Sequence, residues 1–285
     1  MSLIRKLKWL FGHETFKKRP LEVLLGVARW EYHRVTGAPA TLTLGDARLL
    51  ARPIDGNGRM ISYFGDEFDD LFDFMTKYLS PGMTYVDVGA NIGSHVVNAA
   101  RIVSSEVGGQ VYAFEADPET FVILEKNIAL NKLRAVDARN ICVTAEEGEV
   151  TLFLNRDSAK NSTVRSSGRA VKMPGIPLSK LLPKGASIDL LKIDVEGADL
   201  DVLRGAKGIF ETSPPAVVVI EAYDVRTGRD NSAGISQFLI EHGYSMNQYA
   251  GGVLIPIAAG SVTPNAYAVH ARSAQFVSAR LKKSV

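Results

Sequence analysis

The chain is 285 residues long, 46% of them hydrophobic, with 33 Lys and Arg against 31 Asp and Glu. That length suits one large α/β domain, or one domain with an appendage. The net charge of +2 argues against a general nucleic-acid binder, the single cysteine, Cys142, excludes a disulfide within the chain and fits a reducing compartment, and no apolar run approaches the ~18 residues of a membrane span.

The opening stretch, MSLIRKLKWLFGHETFKKRP, does not read as a cleavable signal, because Arg5, Lys6 and Lys8 break its apolar run and no small-residue cleavage site follows. Leu3, Ile4, Leu7, Leu10 and Phe11 share one helical face, with Lys and Arg elsewhere. Two readings stay open: a short helix docked on its own domain, which we prefer, and a weak contact with a membrane surface. LEVLLGVARWEYHRVTG continues in helical fashion, and ATLTLGDARLLARPI alternates as a β-hairpin does. In DEFDDLFDFMTKYLSPG, Phe68, Leu71, Phe72 and Met75 recur at helical spacing until Pro81-Gly82 ends the helix. Residues 1–80 therefore read as an N-terminal extension of amphipathic helices and a hairpin, and residues 81–285 as the main domain.

From Met83 the pattern changes. Strands TYVDVGA, QVYAFEAD, ARNICVTA, SIDLLKIDVEG and AVVVIEAY alternate with helical stretches SHVVNAARIVSS, PETFVILEKNIALN, DLDVLRGAKGIF and GISQFLIEHG. EVTLFLN and AVKMPG read as a strand pair across a polar loop at 155–167, a segment placed to overhang a site. YSMNQY, GVLIPI and NAYAVHA read as short antiparallel strands. The expected fold is α/β: a doubly wound, Rossmann-like, mostly parallel sheet with helices on both faces and antiparallel strands at its C-terminal side.

In such a sheet ligands bind beyond the carboxyl ends of the strands, where the strand order reverses. The first strand ends in YVDVGANIGSH. Gly89 permits a sharp turn and close approach of a ligand to the backbone, and Gly93 begins a helix whose free N–H groups favour an anion. The spacing is G-x-x-x-G, with Asn91 where dinucleotide binders carry their middle glycine, which weakens a nicotinamide or flavin reading. The second strand ends in Glu115, placed to accept hydrogen bonds from a ribose diol. In IDLLKIDVEG, strand alternation puts Lys192, Asp194 and Glu196 on one face, either as a structural Lys192–carboxylate pair or at a mouth open to water. Glu221 adds a carboxylate to the same edge.

YVDVGANIGSH, VYAFEADPETFVILEKNIALN and IDLLKIDVEGADLDVLRGA, in that order, resemble the FkbM-type methyltransferase family over roughly Phe68 to Ala271. The resemblance implies a class I methyltransferase fold with S-adenosylmethionine as cofactor and O-methylation of a hydroxyl on a sugar, polysaccharide or natural product. By position, Asp87, Gly89, Asn91 and Gly93 correspond to the cofactor loop, Glu115 to the ribose-binding acid, and Asp194 and Glu196 to positions facing methyl group and acceptor. Ala116 stands where the family usually has proline, and Asp199 where it usually has glutamate.

Methyl transfer to an alcohol needs in-line alignment and a base for the departing proton. Asp194, Glu196 and His95 are the candidates; His95, at a helix start, suits a neutral base, against the plainer reading of a locally bonded helix-start residue. No metal site is expected, since no ligand-spacing motif supports magnesium on Asp194, Glu196 and Glu221. The acceptor is expected to be a small molecule or glycan met by loops at 155–167, 63–64 and 223–231, with no nucleic-acid partner. The expected location is cytoplasmic, with peripheral attachment at the inner face of a membrane as the alternative. A nicotinamide-dependent oxidoreductase and a non-catalytic Rossmann-like module are the competing functions.

Overall fold

The computed structural model describes residues 9–104, 108–154, 169–221, 223–224, 229–230, 232–258, 261, 263 and 265–282. The expected overhanging loop at 155–167, most of 223–231, and Leu3, Ile4 and Leu7 of the N-terminal apolar face lie outside the described residues.

The first 80 residues form α1 (Glu14–Lys18), α2 (Pro20–Thr36), the hairpin β1 (Ala40–Leu44) and β2 (Ala47–Ala51), α3 (Gly56–Phe64), a 3₁₀ turn (Gly65–Phe68) and α4 (Asp70–Tyr78). Gly37, at φ +73°, ends α2, and the Asp69 side chain caps α4 by accepting the Leu71 N–H at 3.0 Å. The helix α3 is not visible as a helical pattern, because two glycines occupy its first turn; Gly58 is needed there, since a Cβ would lie 2.5 Å from the Ala51 Cβ and against Trp30.

The main domain follows as β3 (Thr84–Val88), α5 (Ser94–Val103), β4 (Gln110–Glu115), α6 (Pro118–Leu130), β5 (Val136–Asn140), β6 (Cys142–Val143), β7 (Gly148–Leu154), β8 (Arg169–Ile176), α7 (Leu178–Leu181), β9 (Leu190–Ile193), α8 (Asp199–Gly205), α9 (Lys207–Thr212) and β10 (Val217–Ile220). Then come the short pair β11 (Tyr223–Asp224) and β12 (Arg229–Asp230), α10 (Ser232–Glu241), β13 (Tyr244–Ala250), β14 (Val253–Pro256), β15 (Ala266–His270) and α11 (Ala274–Lys282).

Among the described residues, eight strands form the main sheet in the order β14-β13-β15-β10-β9-β3-β4-β5. The run from β10 to β5 is parallel and the run from β10 to β14 antiparallel, as the alternation of apolar strands and helices implies. The chain leaves β3 towards β5 and later returns through β9 towards β10, so the order reverses between β3 and β9. One face of the sheet buries Val86, Val88, Phe114, Leu191, Ile193, Val218 and Ile220 against Val202, Leu203 and Ile235. The other buries Tyr85, Val111, Ala113, Leu190, Val217 and Val219 against Leu71, Phe74, Met75, Val96 and Ala100. The hairpin joins a third core with Ile92, Val97 and Ile123.

Three elements differ from the sequence reading. ARNICVTA is two strands, not one: the Asn140 amide donates to the carbonyls of Glu115 (2.8 Å) and Ala116 (3.0 Å), and beyond it Cys142–Val143 joins a small sheet beside β8, whose partner β7 is the expected EVTLFLN strand. SIDLLKIDVEG leaves the sheet at Ile193, so strand alternation does not carry as far as Glu196. DLDVLRGAKGIF breaks at Ala206 into α8 and α9, just after Gly205, where a Cβ would lie 2.1 Å from the Thr144 carbonyl oxygen.

Candidate active site

The register β3–β9 sets Asp87 directly opposite Lys192. Both side chains belong to the face covered by α4 and α5, and both are buried, so a lone charge on either would be costly. They pair instead: Lys192 Nζ lies 3.2 Å from Asp87 Oδ1, with side-chain exposures of 7% and 0%. The phenol of Tyr85 donates to Asp87 Oδ2 at 3.0 Å, and Lys192 also donates to the Gly89 carbonyl at 3.3 Å. Burial pulls the Lys192 pKa down, but the carboxylates of Asp87, Asp194 and Asp69 outweigh it and leave the ammonium more firmly protonated than usual. Asp87 was expected to meet the cofactor. Its carboxylate has no exposed surface, and through Lys192 and Tyr85 it braces the edge from beneath.

After β3 the chain makes a turn containing three residues of positive φ: Gly89 (+85°), Asn91 (+51°) and Gly93 (+87°). Asparagine tolerates this region better than most side chains. A Cβ on Gly89 would lie 1.9 Å from the Asp194 carbonyl oxygen, so this glycine is required first by the neighbouring loop rather than by a ligand. A Cβ on Gly93 would lie 2.4 Å from Leu124 Cδ1, the close helix packing expected there. The N–H groups of Gly89 and Ala90 donate to the Phe114 carbonyl at 2.9 and 3.0 Å, which locks the turn to β4.

Glu115, at the end of β4, completes this half of the edge. Its Oε2 accepts the Asn91 N–H at 2.7 Å and its Oε1 the Asp117 N–H at 2.8 Å. Each oxygen keeps a further lone pair for another donor. Burial pushes its pKa up to about 7, against those two backbone donors, with the charges of Asp117 and Asp87 adding to the rise.

The other half of the edge is the loop after β9. Asp194 is 43% exposed at its side chain and stands 3.4 Å from Lys192 Nζ. Glu196 is buried and has φ +55°, so it sits in a turn rather than on a strand face beside Asp194, as had been expected. Asp199 holds this loop: its carboxylate accepts the N–H groups of Val195 and Gly197, each at 3.1 Å, and burial pushes its pKa up to about 6. That role has no sequence signal beyond the acid's position in the motif.

His95 lies in the first turn of α5, only 7% exposed at its side chain. Its Nε2 is 3.2 Å from Asp69 Oδ2, too oblique for a straight hydrogen bond, and its ring rests on Phe72 at 4.5 Å. Asp69 is the site residue that sequence reasoning missed. Burial raises its pKa, but His95, the Leu71 N–H and Lys192 outweigh this and hold it below the usual carboxylate range. Asp69 also lines a hollow of about 480 Å³ with Phe68, Asp70, Gln248, Tyr249, Thr263 and Asn265. Asn265 precedes Ala266, which pairs with Ile220 at the end of β10, so the hollow opens on the same edge of the sheet as the glycine turn. A second hollow, of about 550 Å³ around Thr144, Glu146 and Val150, lies by the small sheet and contains none of these residues.

Phe64, expected near an acceptor, is instead 2% exposed and stacks on His13 at 3.8 Å. Among the described residues no group of three or more His, Cys, Asp or Glu side chains is placed to hold a metal ion, and no helix is long and apolar enough to cross a membrane.

A strand-order reversal flanked by a glycine turn, a buried acid with lone pairs to spare and an acidic loop is a Rossmann-like arrangement, with its ligand edge at the point where the strand order reverses. The chain belongs to the methyltransferase FkbM domain family, whose model matches residues 87–246, more than half of its length. It is 28% identical to "Methyltransferase 1" of Beauveria bassiana over 42% of this chain and 57% of that protein. It is also 28% identical to the hexuronic acid methyltransferase AglP of Haloferax volcanii, over 48% of this chain and 55% of that one. The chain thus spans a little over half the length of these curated relatives. Among solved structures, a SAM-dependent O-methyltransferase of Thermotoga maritima aligns with 71% of this chain and 64% of its own, at 16% identity and a TM-score of 0.41.

The residues present suit S-adenosylmethionine, the cofactor that the family resemblance implies. Glu115 offers acceptor capacity for a ribose diol, and the turn from Gly89 to Gly93 keeps the backbone beside it clear of side chains larger than those of Ala90, Asn91 and Ile92.

Proposed function

We propose that this protein transfers a methyl group from S-adenosylmethionine to a hydroxyl oxygen of a sugar or a hydroxylated natural product. The cofactor supplies an activated methyl group; the chain's residues bind, orient and manage one proton. Glu115 and the turn at Asn91 hold the nucleoside end. Asp87 and Lys192 keep β3 and β9 in register, so that Gly89 and Asp194 stay side by side.

Asp194 carries the reading. Its side chain is 43% exposed beside the glycine turn, while its partner Lys192 is buried. A carboxylate so placed accepts the hydroxyl proton as the acceptor oxygen attacks. Glu196, buried in the adjacent turn, shapes that loop, and His95, 3.2 Å from the hollow-lining Asp69, is the second candidate proton acceptor. The hollow's volume falls within the range of about 300–1,000 Å³ common for small-ligand sites. Its mixture of amides, carboxylates and the rings of Phe68 and Tyr249 suits a hydroxyl-rich ligand with one apolar face. The hexuronic acid methyltransferase among the relatives supports a sugar acceptor.

The test is mass spectrometry of mono- and oligosaccharides incubated with enzyme and isotope-labelled cofactor. The expected product gains one labelled methyl group, resistant to mild base, as an ether is and an ester is not. Asp194→Asn is expected to lower kcat by about 10²–10⁴ while S-adenosylhomocysteine still binds. Label found on nitrogen or on carboxylate oxygen, or full turnover by Asp194→Asn, would refute the assignment.

A further inference from the structure

The helix α2 carries two apolar faces, and the fold uses one. Val23, Gly26 and Trp30 are buried inward; the packing at Gly26 is so close that a Cβ would lie 1.9 Å from the Ser62 carbonyl oxygen. Leu21, Leu24, Leu25, Ala28, Tyr32 and Val35 recur at i, i+3, i+4, i+7, i+11 and i+14, which sets them on one side of a 3.6-residue helix, opposite the buried one. All six are exposed, Leu21 by 75%, Leu25 by 65%, Tyr32 by 63% and Val35 by 78%. The stripe runs fifteen residues, about 22 Å of helix. An ordinary surface helix turns polar side chains to solvent at these positions, and a continuous apolar patch marks a contact.

Charge identifies what covers it. Residues 1–36 contain eight Lys or Arg (Arg5, Lys6, Lys8, Lys17, Lys18, Arg19, Arg29, Arg34) against three Glu, a net charge of +5, so the rest of the chain is net negative, since the whole carries +2. The three acids, Glu14, Glu22 and Glu31, are each already matched by Lys17, Arg19 and Arg34. Trp9 and Phe11, in the helical turn before α1, are 44% and 48% exposed and add aromatic surface of the type that settles at a lipid–water boundary. A second copy of this helix would bring like charge against like charge, whereas an anionic lipid surface supplies the opposite sign along with an apolar layer for the leucines.

We propose that the outer face of α2, with the basic segment before it, docks the protein in the plane of an anionic lipid bilayer. This stands independently of the reaction assigned above.

The experiment is co-sedimentation of the full chain with vesicles of phosphatidylcholine alone and of phosphatidylcholine with phosphatidylglycerol. Binding is expected only to the anionic vesicles, and it weakens as salt rises. Leu21→Glu/Leu25→Glu changes two exposed side chains, so its unfolding midpoint and S-adenosylhomocysteine affinity are expected to match the parent, while its partition onto anionic vesicles falls by tenfold or more. No binding by the parent chain overturns the proposal, as does equal binding by the double variant, which would assign attachment to the basic segment alone. Sedimentation velocity without lipid provides a further arm: a dimer abolished by Leu21→Glu/Leu25→Glu, with no vesicle binding, makes a second copy the occupant instead.

Discussion

The two loops that meet at the strand-order reversal solve one problem differently. The turn from Gly89 to Gly93 is anchored at both ends by main chain, Gly89 and Ala90 donating to the Phe114 carbonyl and Gly93 to that of Ala90, while Glu115, Lys192 and Asn127 bond the backbone between. The loop from Asp194 to Asp199 is held by charge: Lys192 beneath it, and Asp199 gathering the N–H groups of Val195 and Gly197. A backbone-held turn depends on residues without side chains, whereas a charge-held loop depends on particular ionised side chains, here Lys192 and Asp199. The first is therefore rigid to substitution by anything larger, and the second is rigid only while every charge keeps its partner.

Removing Lys192 tests the charge-held side most severely. Lys192→Met leaves the carboxylate of Asp87 buried and unneutralised, and a loss of about 3–5 kcal/mol is expected in urea unfolding. Asp87→Asn in the same chain should recover much of it, because the uncompensated charge is gone. A single variant as stable as the parent would mean that water reaches Asp87. On the backbone-held side, Gly89→Ala meets both the 1.9 Å approach to the Asp194 carbonyl and φ +85°, and about 2–4 kcal/mol is expected. This variant should also weaken S-adenosylhomocysteine binding by calorimetry, since relief of the clash moves Asp194 away from the turn.

What could be read in advance follows the same division. The glycine spacing, Glu115 at the end of the next strand and the alternation of strands with helices are local patterns, and the fold follows from them, as does the meeting of the glycine turn with Glu115. The partners are not local. That Lys192 faces Asp87 needs the register of β3 against β9, 105 positions apart, so the sequence leaves a structural pair and an open mouth equally in play. Asp69 meets His95 only because α4 and α5 pack on one sheet face, and no motif links the two. Asn127 and Asn131 are similarly hidden: four residues apart, in the last turn of α6 and at its C-cap, they exchange hydrogen bonds with the backbone N–H and C=O of Leu50 and Arg48, acting as the missing neighbour strand of β2. Asn127 also donates to the Ile92 carbonyl at 2.8 Å, which couples the β1–β2 hairpin to the glycine turn.

Asp199→Ala sharpens the comparison with a moderate effect. Two N–H groups lose their acceptor at once, and about 1–3 kcal/mol is expected in urea unfolding. Asp199→Asn keeps one acceptor oxygen and should lose less. If both variants unfold like the parent, the loop is held elsewhere, and the contrast drawn between the two halves of the edge is wrong.

The smallest expected effect is the most diagnostic, because it concerns ligand rather than fold. Burial raises Glu115 from its ordinary 4.5 to about 7. Below 4.5 the acid is protonated in both folded and unfolded chains. As pH rises from there to about 7 the unfolded chain ionises first, so this group's contribution to stability falls across that window and is lost above it. Cofactor binding runs the other way. A ribose hydroxyl donates more strongly to an ionised carboxylate than to a carboxylic acid, so the affinity for S-adenosylhomocysteine should rise by about tenfold between roughly pH 6 and 8. Glu115→Gln should bind more weakly and lose the pH dependence while remaining folded, since its amide oxygen still accepts one of the two backbone N–H groups. Calorimetric titrations across that range decide it. A flat profile in the parent, or the same slope in Glu115→Gln, would separate the acid from the ribose and leave only the backbone of the glycine turn to hold the nucleoside.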